Sequence, residues 1–109
     1  MPSYLVQVAY TSEAMAAMLK KPQDRAAVVG KAVAKLGGSL TSAWLTFGDY
    51  DTMVLVEMPD NVSAAAFAMA ISAGGSCNAV KTTPLLSVEE GTAAMKKASA
   101  SGYKPVATK

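Results

Sequence analysis

Thr46 Phe47 Gly48 Asp49 Tyr50 Asp51 lies between two apolar runs, Ser39 to Phe47 and Asp51 to Met58, each with the β-branched and aromatic content of a strand. Only Gly48, Asp49 and Tyr50 separate them, which is too short for a crossover, so the two runs pair antiparallel as a hairpin. In this turn Gly48 suits a backbone position with φ above zero, Asp49 a local bond from side chain to backbone, and Tyr50 a ring packed over the strand ends. Pro59 stops the second run because it cannot donate to a ladder.

On the N-terminal side, Ser3 to Tyr10 places Tyr4, Val6, Val8 and Tyr10 on one face and Leu5, Gln7 and Ala9 on the other, the period of a first strand. Thr11 and Ser12 are N-cap types, and the Ala and Met run after them predicts a short helical turn broken before Pro22. Pro22 is expected to open the first main helix, with Asp24 complementing its dipole and Ala26, Val29, Val33 and Leu36 forming an apolar stripe. Gly37 Gly38 ends it.

Beyond the hairpin, Asp60 or Asn61 caps a second helix rich in Ala, anchored by Phe67 and Ile71 and ending near Gly74 Gly75. A fourth strand follows from about Ala79 to Leu86, and Pro84 within it marks an edge strand. Ser87 and Glu90 have the spacing of a capping box, opening a third helix to about Ala98. The order β α β β α β with right-handed crossovers predicts an α+β, ferredoxin-like fold: a four-stranded antiparallel sheet with helices on one face and an extra C-terminal helix. The division expected is a core domain over 1–91, then 92–109 as the end of that helix and a basic flexible tail.

A chain of 109 residues, 51% of them apolar, suits one domain that buries roughly 65% of its unfolded surface. The net charge of +2 is unevenly spread: residues 1–91 carry six basic and eight acidic side chains, whereas 92–109 carry four Lys and no acid. A Lys tail without interleaved aromatic residues or Arg is a solvated terminus, so no nucleic-acid partner is expected. No apolar run approaches the roughly 18 residues of a membrane span, and Met1 to Val6 enters a strand pattern directly, without the pattern of a secretory leader. One cysteine, Cys77, permits no internal disulfide, and a cytoplasmic location fits a lone thiol.

The chain contains no histidine. That removes the commonest general base, Ser-His-Asp and Cys-His nucleophile pairs, and His-based zinc and haem sites, so neither a metal nor another cofactor is expected. Gly37 Gly38 and Gly74 Gly75 lack the spacing of a phosphate loop and read as helix-ending turns. If Val54, Val56 and Met58 face the helices, Asp51, Met53, Leu55 and Glu57 face the other way, where Met53 and Leu55 would lie in water unless a partner covered them.

Gly48 Asp49 Tyr50 Asp51, the run from Met53 to Val56 and then Glu57 Met58 Pro59 Asp60 resemble the signature of the GYD domain family. Tyr10 Thr11, Pro22 to Arg25, Leu36 Gly37 Gly38 and Val80 to Thr83 extend the resemblance over most of residues 3–91. It implies a fold of the dimeric α/β-barrel type, in which two ferredoxin-like sheets pack through their bare faces, and it assigns no biochemical role. Ser76 Cys77 Asn78 Ala79 and the chain after Gly91 exceed the family's usual pattern, and the added helix and tail could carry assembly past a dimer.

Two functions remain open. One is a homo-oligomeric small-ligand-binding or interaction module, its partners being itself and a small molecule. The other is a small cofactor-poor enzyme of oxygenase or isomerase type, with a pocket near Tyr50 and Asp51. The candidate ligand-binding residues are Gln7, Trp44, Tyr50, Asp51 and Lys81; each also has a structural reading, as turn residues for Tyr50 and Asp51 and as interface or inter-subunit groups for the other three.

Overall fold

The computed structural model describes residues 1–107, ordered as β1 (Ser3–Tyr10), α1 (Ser12–Lys20), α2 (Arg25–Lys35), β2 (Ser39–Leu45), β3 (Thr52–Glu57), α3 (Asn61–Ala73), β4 (Cys77–Leu85) and α4 (Val88–Ser99). The strands form one antiparallel sheet in the order β2-β3-β1-β4, which is the ferredoxin-like arrangement expected from the sequence. The strand containing Pro84 lies at an edge, where a missing N–H is tolerated.

One face of the sheet carries the core. Tyr4, Val6 and Val8 of β1 and Val54, Val56 and Met58 at β3 are buried against Val33 of α2 and Ala64 and Phe67 of α3. Each full burial of a Val, Met or Phe side chain contributes about 1.5–3 kcal/mol. The Tyr4 hydroxyl donates to Asn61 Oδ1 and so ties β1 to the first turn of α3. Val29 and Leu36 pack beside Val33, as the spacing of the stripe requires.

Three local features differ from expectation. The segment after Thr11 is a nine-residue helix, α1, whose N-terminal amide at Ala14 bonds to Thr11 Oγ1 at 3.1 Å. Second, α2 starts at Arg25, not at Pro22, because the Asp24 carboxylate accepts the Ala26 amide at 2.9 Å and makes Asp24 the cap. Third, β4 begins at Cys77, and its register against β1 shifts between Ala9 and Tyr10 to absorb the longer approach.

At the end of α2, Gly37 has φ of 87° and the amides of Gly37 and Gly38 bond to Ala34 and Val33, a Schellman closure. A side chain at Gly38 would run into the Glu57 carbonyl and the Met58 sulfur, so this glycine lets β2 enter the sheet close to β3. The Ser87–Glu90 capping box is present at α4. None of the residues of α4 is buried, and the helix makes no more than slight contact with any other element. The radius of gyration, 17.5 Å, exceeds the roughly 13 Å of a compact chain of about 100 residues, as a projecting arm requires. From Ala100 to Ala107 no helix or strand follows; Thr108 and Lys109, part of the basic tail, lie outside the described residues. No helix among the described residues is long and apolar enough to cross a membrane.

Candidate functional site

The hairpin turn is held by its flanks. The Thr46 amide donates to the Asp51 carbonyl at 2.8 Å and the Thr46 hydroxyl to the Tyr50 carbonyl at 2.7 Å, so the side-chain bond expected of Asp49 is made by Thr46. Gly48 has φ of 130°, as the turn demanded. The strands stop sooner than the apolar runs suggested, at Leu45 and Thr52. Asp51 therefore stands outside the ladder, where its amide donates to Val8 and its carboxylate accepts the Tyr10 amide, both at 2.8 Å.

That second bond decides the direction of Asp51. It lines a groove on the helix side of the sheet, together with Tyr10, Thr52 and residues of α1 and α2, and not the bare face expected for it. Gln7, Trp44 and Lys81 do come together. Trp44 pairs with Met53, Met53 with Gln7 and Gln7 with Lys81, forming one row across the uncovered face of all four strands. Trp44 is 62% exposed in the single chain, and Leu5, Met53 and Leu55 of the same face are half-buried. Tyr50 is half-buried in the turn. The five candidates are thus divided between a sheet-face row, the turn and the helix-side groove, which Trp44 also borders.

The helix side holds more than the groove. A cavity of about 300 Å³ lies between the sheet and helices α2 and α3, and it shares a wall with the outer groove of about 520 Å³ through Tyr10, Arg25, Val29, Thr52 and Val54. Its floor and sides are Val6, Val54, Phe67 and Ile71. Four polar groups gather at one end, because the last residue of β1, the first residues of β3 and β4 and the first residue of α2 meet there: Tyr10, Thr52, Cys77 and Arg25, with Ser76 preceding Cys77 in the lining.

The electrostatics follow from this placement. Burial pushes the Tyr10 phenol above its ordinary value; the Arg25 guanidinium works against that, while Cys77 and Asp51 add to it and the Thr52 hydroxyl opposes it. Burial also raises the Cys77 thiol, again against Arg25. At neutral pH both groups are protonated, so Tyr10 is a hydrogen-bond donor and Cys77 is no thiolate nucleophile. Arg25, the only arginine of the chain, is exposed at the mouth and donates to the neutral Gln23 Oε1 at 3.1 Å. Among the described residues no three His, Cys, Asp or Glu side chains gather to hold a metal.

Tyr10, Arg25, Thr52 and Cys77 were not singled out as site residues from sequence. Two signals were available: Tyr10 ends the buried stripe of Tyr4, Val6 and Val8 with a hydroxyl, and Arg25 is the lone guanidinium at a helix start. Sequence spacing could not show that four element ends converge.

Comparison with known proteins bears on this geometry. No curated protein matches the chain. Among solved structures the chain is similar to TTHA0845 from Thermus thermophilus, at 17% identity and a TM-score of 0.54 over 81% of this chain and 96% of that one. It is also similar to the hypothetical protein PHS023 from Pyrococcus horikoshii, at 14% and 0.51 over 80% and 92%. FFRP-DM1 matches at 16% and 0.50 over 79% and 100%. Such identities show a shared fold alone. The family model for the GYD domain, however, matches residues 4–95, from the first strand across the hairpin and into α4, and this chain therefore belongs to the GYD domain family.

Proposed function

We propose that the protein is a homo-oligomeric binding module for a small organic molecule, held in the cavity between the sheet and helices α2 and α3. The cavity itself carries this reading: about 300 Å³ of largely apolar space with four polar groups at one end is the usual form of a small-molecule site. The row of Trp44, Gln7 and Lys81, with the apolar Leu5, Met53 and Leu55, is then the surface through which copies pair sheet to sheet in the dimeric-barrel manner. The functional body is residues 1–91, with the rest of α4 and the tail as an arm, and the single thiol suits a cytoplasmic setting.

The test has two parts. Sedimentation should give an oligomer at micromolar concentration, and a thermal-shift screen of small organic compounds should give hits that Ala70→Phe, filling the cavity from α3, abolishes. A stable monomer rejects the assembly, and hits indifferent to Ala70→Phe reject the cavity.

A second reading, a small enzyme without a cofactor, draws on the place of Asp51 in the groove wall. As a general base, Asp51 would act through the carboxylate oxygen that does not accept the Tyr10 amide. Asp51→Asn retaining any activity found in a substrate screen would end that reading.

A further inference from the structure

The cavity is polarised in both shape and charge. Its interior end is walled by Val6, Val54, Phe67 and Ile71, and Arg25 is the one charged residue that lines it. The outer groove adds two carboxylates, Asp51 and Asp24, each with one oxygen accepting a backbone amide, from Tyr10 and Ala26 in turn, but neither lines the cavity itself. The guanidinium has five donors and a neutral amide oxygen as its hydrogen-bond partner. Tyr10 adds a hydroxyl at the same end, a donor at neutral pH as a phenol ordinarily is, with burial moving its pKa further up. The start of α2 lies there too, with its partial positive charge offset in part by Asp24.

We infer that the cavity takes an amphipathic organic carboxylate, its apolar body against Val54, Phe67 and Ile71 and its carboxylate at Arg25 and Tyr10. This rests on the cavity reading above and adds the ligand's charge and orientation to it. A cation would meet the like charge of Arg25, and no carboxylate lines the cavity to receive it. A neutral ligand would leave the guanidinium without a charged partner, whereas a carboxylate offers the planar, two-oxygen acceptor that matches it.

The probes are three molecules of one shape: 2-naphthoate, 2-naphthamide and 2-naphthylmethylammonium, titrated calorimetrically into the full chain with amide NMR shifts to locate binding. The expected order is naphthoate at least about tenfold tighter than naphthamide, with the ammonium weakest, and with shifts at Tyr10, Thr52 and Cys77. Arg25→Gln should remove the preference, bringing naphthoate to within about twofold of naphthamide, and Arg25→Lys should restore part of it. Because Arg25 is exposed, both variants should keep the wild-type unfolding midpoint. Naphthamide or the ammonium binding as tightly as naphthoate, or an unchanged preference in Arg25→Gln, overturns the carboxylate inference and leaves the cavity reading standing. No saturable binding of any probe at millimolar concentration overturns both.

Discussion

Asp51→Ala should destabilise the fold by about 1.5–2 kcal/mol through a single amide. The β1–β3 ladder ends at Val8 opposite Thr52, so the Tyr10 amide lies beyond the reach of β3's backbone and depends on the Asp51 carboxylate at 2.8 Å. A hydrogen bond to a charged acceptor contributes about 1.5–3 kcal/mol, and the half-buried position of both residues, where water can partly replace the lost acceptor, puts this one near the lower end. At roughly 4–8 °C per kcal/mol for a domain near this size, the melting temperature should fall by about 10 °C. Asp51→Asn keeps an acceptor oxygen and loses the charge, so it should cost about half as much. Urea and thermal unfolding of the three proteins, with hydrogen exchange at the Tyr10 amide, measure both quantities. If Asp51→Ala lies within about 0.5 kcal/mol of wild type with the Tyr10 amide still protected, Asp51 does not brace this strand and the reasoning fails.

On the uncovered face, Leu55→Glu sets a charge at the centre of the proposed pairing surface and should convert the oligomer to a folded monomer; unchanged sedimentation with unchanged circular dichroism would count against sheet-to-sheet pairing. Gly38→Ala forces a methyl group onto the Glu57 carbonyl and the Met58 sulfur and should cost about 1–3 kcal/mol in urea unfolding, and an unmoved midpoint would mean the close approach is not needed. Tyr10 and Cys77 both have pKa values raised by burial, so folding holds their protons more tightly than the unfolded chain does. Their contribution is complete below the ordinary values of 10.0 and 9.0 and is lost as pH rises through the folded values, so stability should fall from about pH 9 upward, with Cys77→Ala delaying the onset. Asp60 and Glu90 behave in the opposite sense. The amides of Ser63 and Ser87 hold them below 3.8 and 4.5, so the caps of α3 and α4 contribute at neutral pH and weaken as pH falls through those depressed values, which helix content against pH would register.

The parts of the fold legible in sequence are those where one residue type has one physical solution. Pro84 had to lie at an edge, Gly37 Gly38 had to end a helix, Ser87 and Glu90 had to cap one, and period two put Val54, Val56 and Met58 in the core. Positions with two competing solutions mislead. Pro22 and Asp24 both open helices, and the one with a side-chain acceptor for a free amide prevails. Strand periodicity gives Asp51 a face, but that rule holds only inside a ladder; one residue before β3 begins, the bond to Tyr10 sets its direction instead. The row of Gln7, Trp44 and Lys81 follows from register, but the polar end of the cavity joins four elements distant in sequence, and no local pattern encodes such a meeting.

The residues of the turn therefore relate to the cavity in an unequal way. Gly48 supplies the left-handed position that lets the hairpin close, and Tyr50 lends its carbonyl to the Thr46 hydroxyl; neither lines the cavity or the groove. Of these residues Asp51 alone reaches the groove. By fixing the Tyr10 amide it fixes the backbone from which the phenol reaches the Arg25 end of the cavity, while Thr52, the next residue, sets its own hydroxyl beside that phenol and donates to the Trp44 carbonyl at 3.0 Å. The same strand then alternates, with Val54 walling the cavity and Met53 and Leu55 on the uncovered face. The cavity and the uncovered face proposed for pairing are thus separated by the thickness of one strand, and both begin at a single turn. A stretch of four residues can in this way shape the proposed binding site from outside it: it sets where Tyr10 stands.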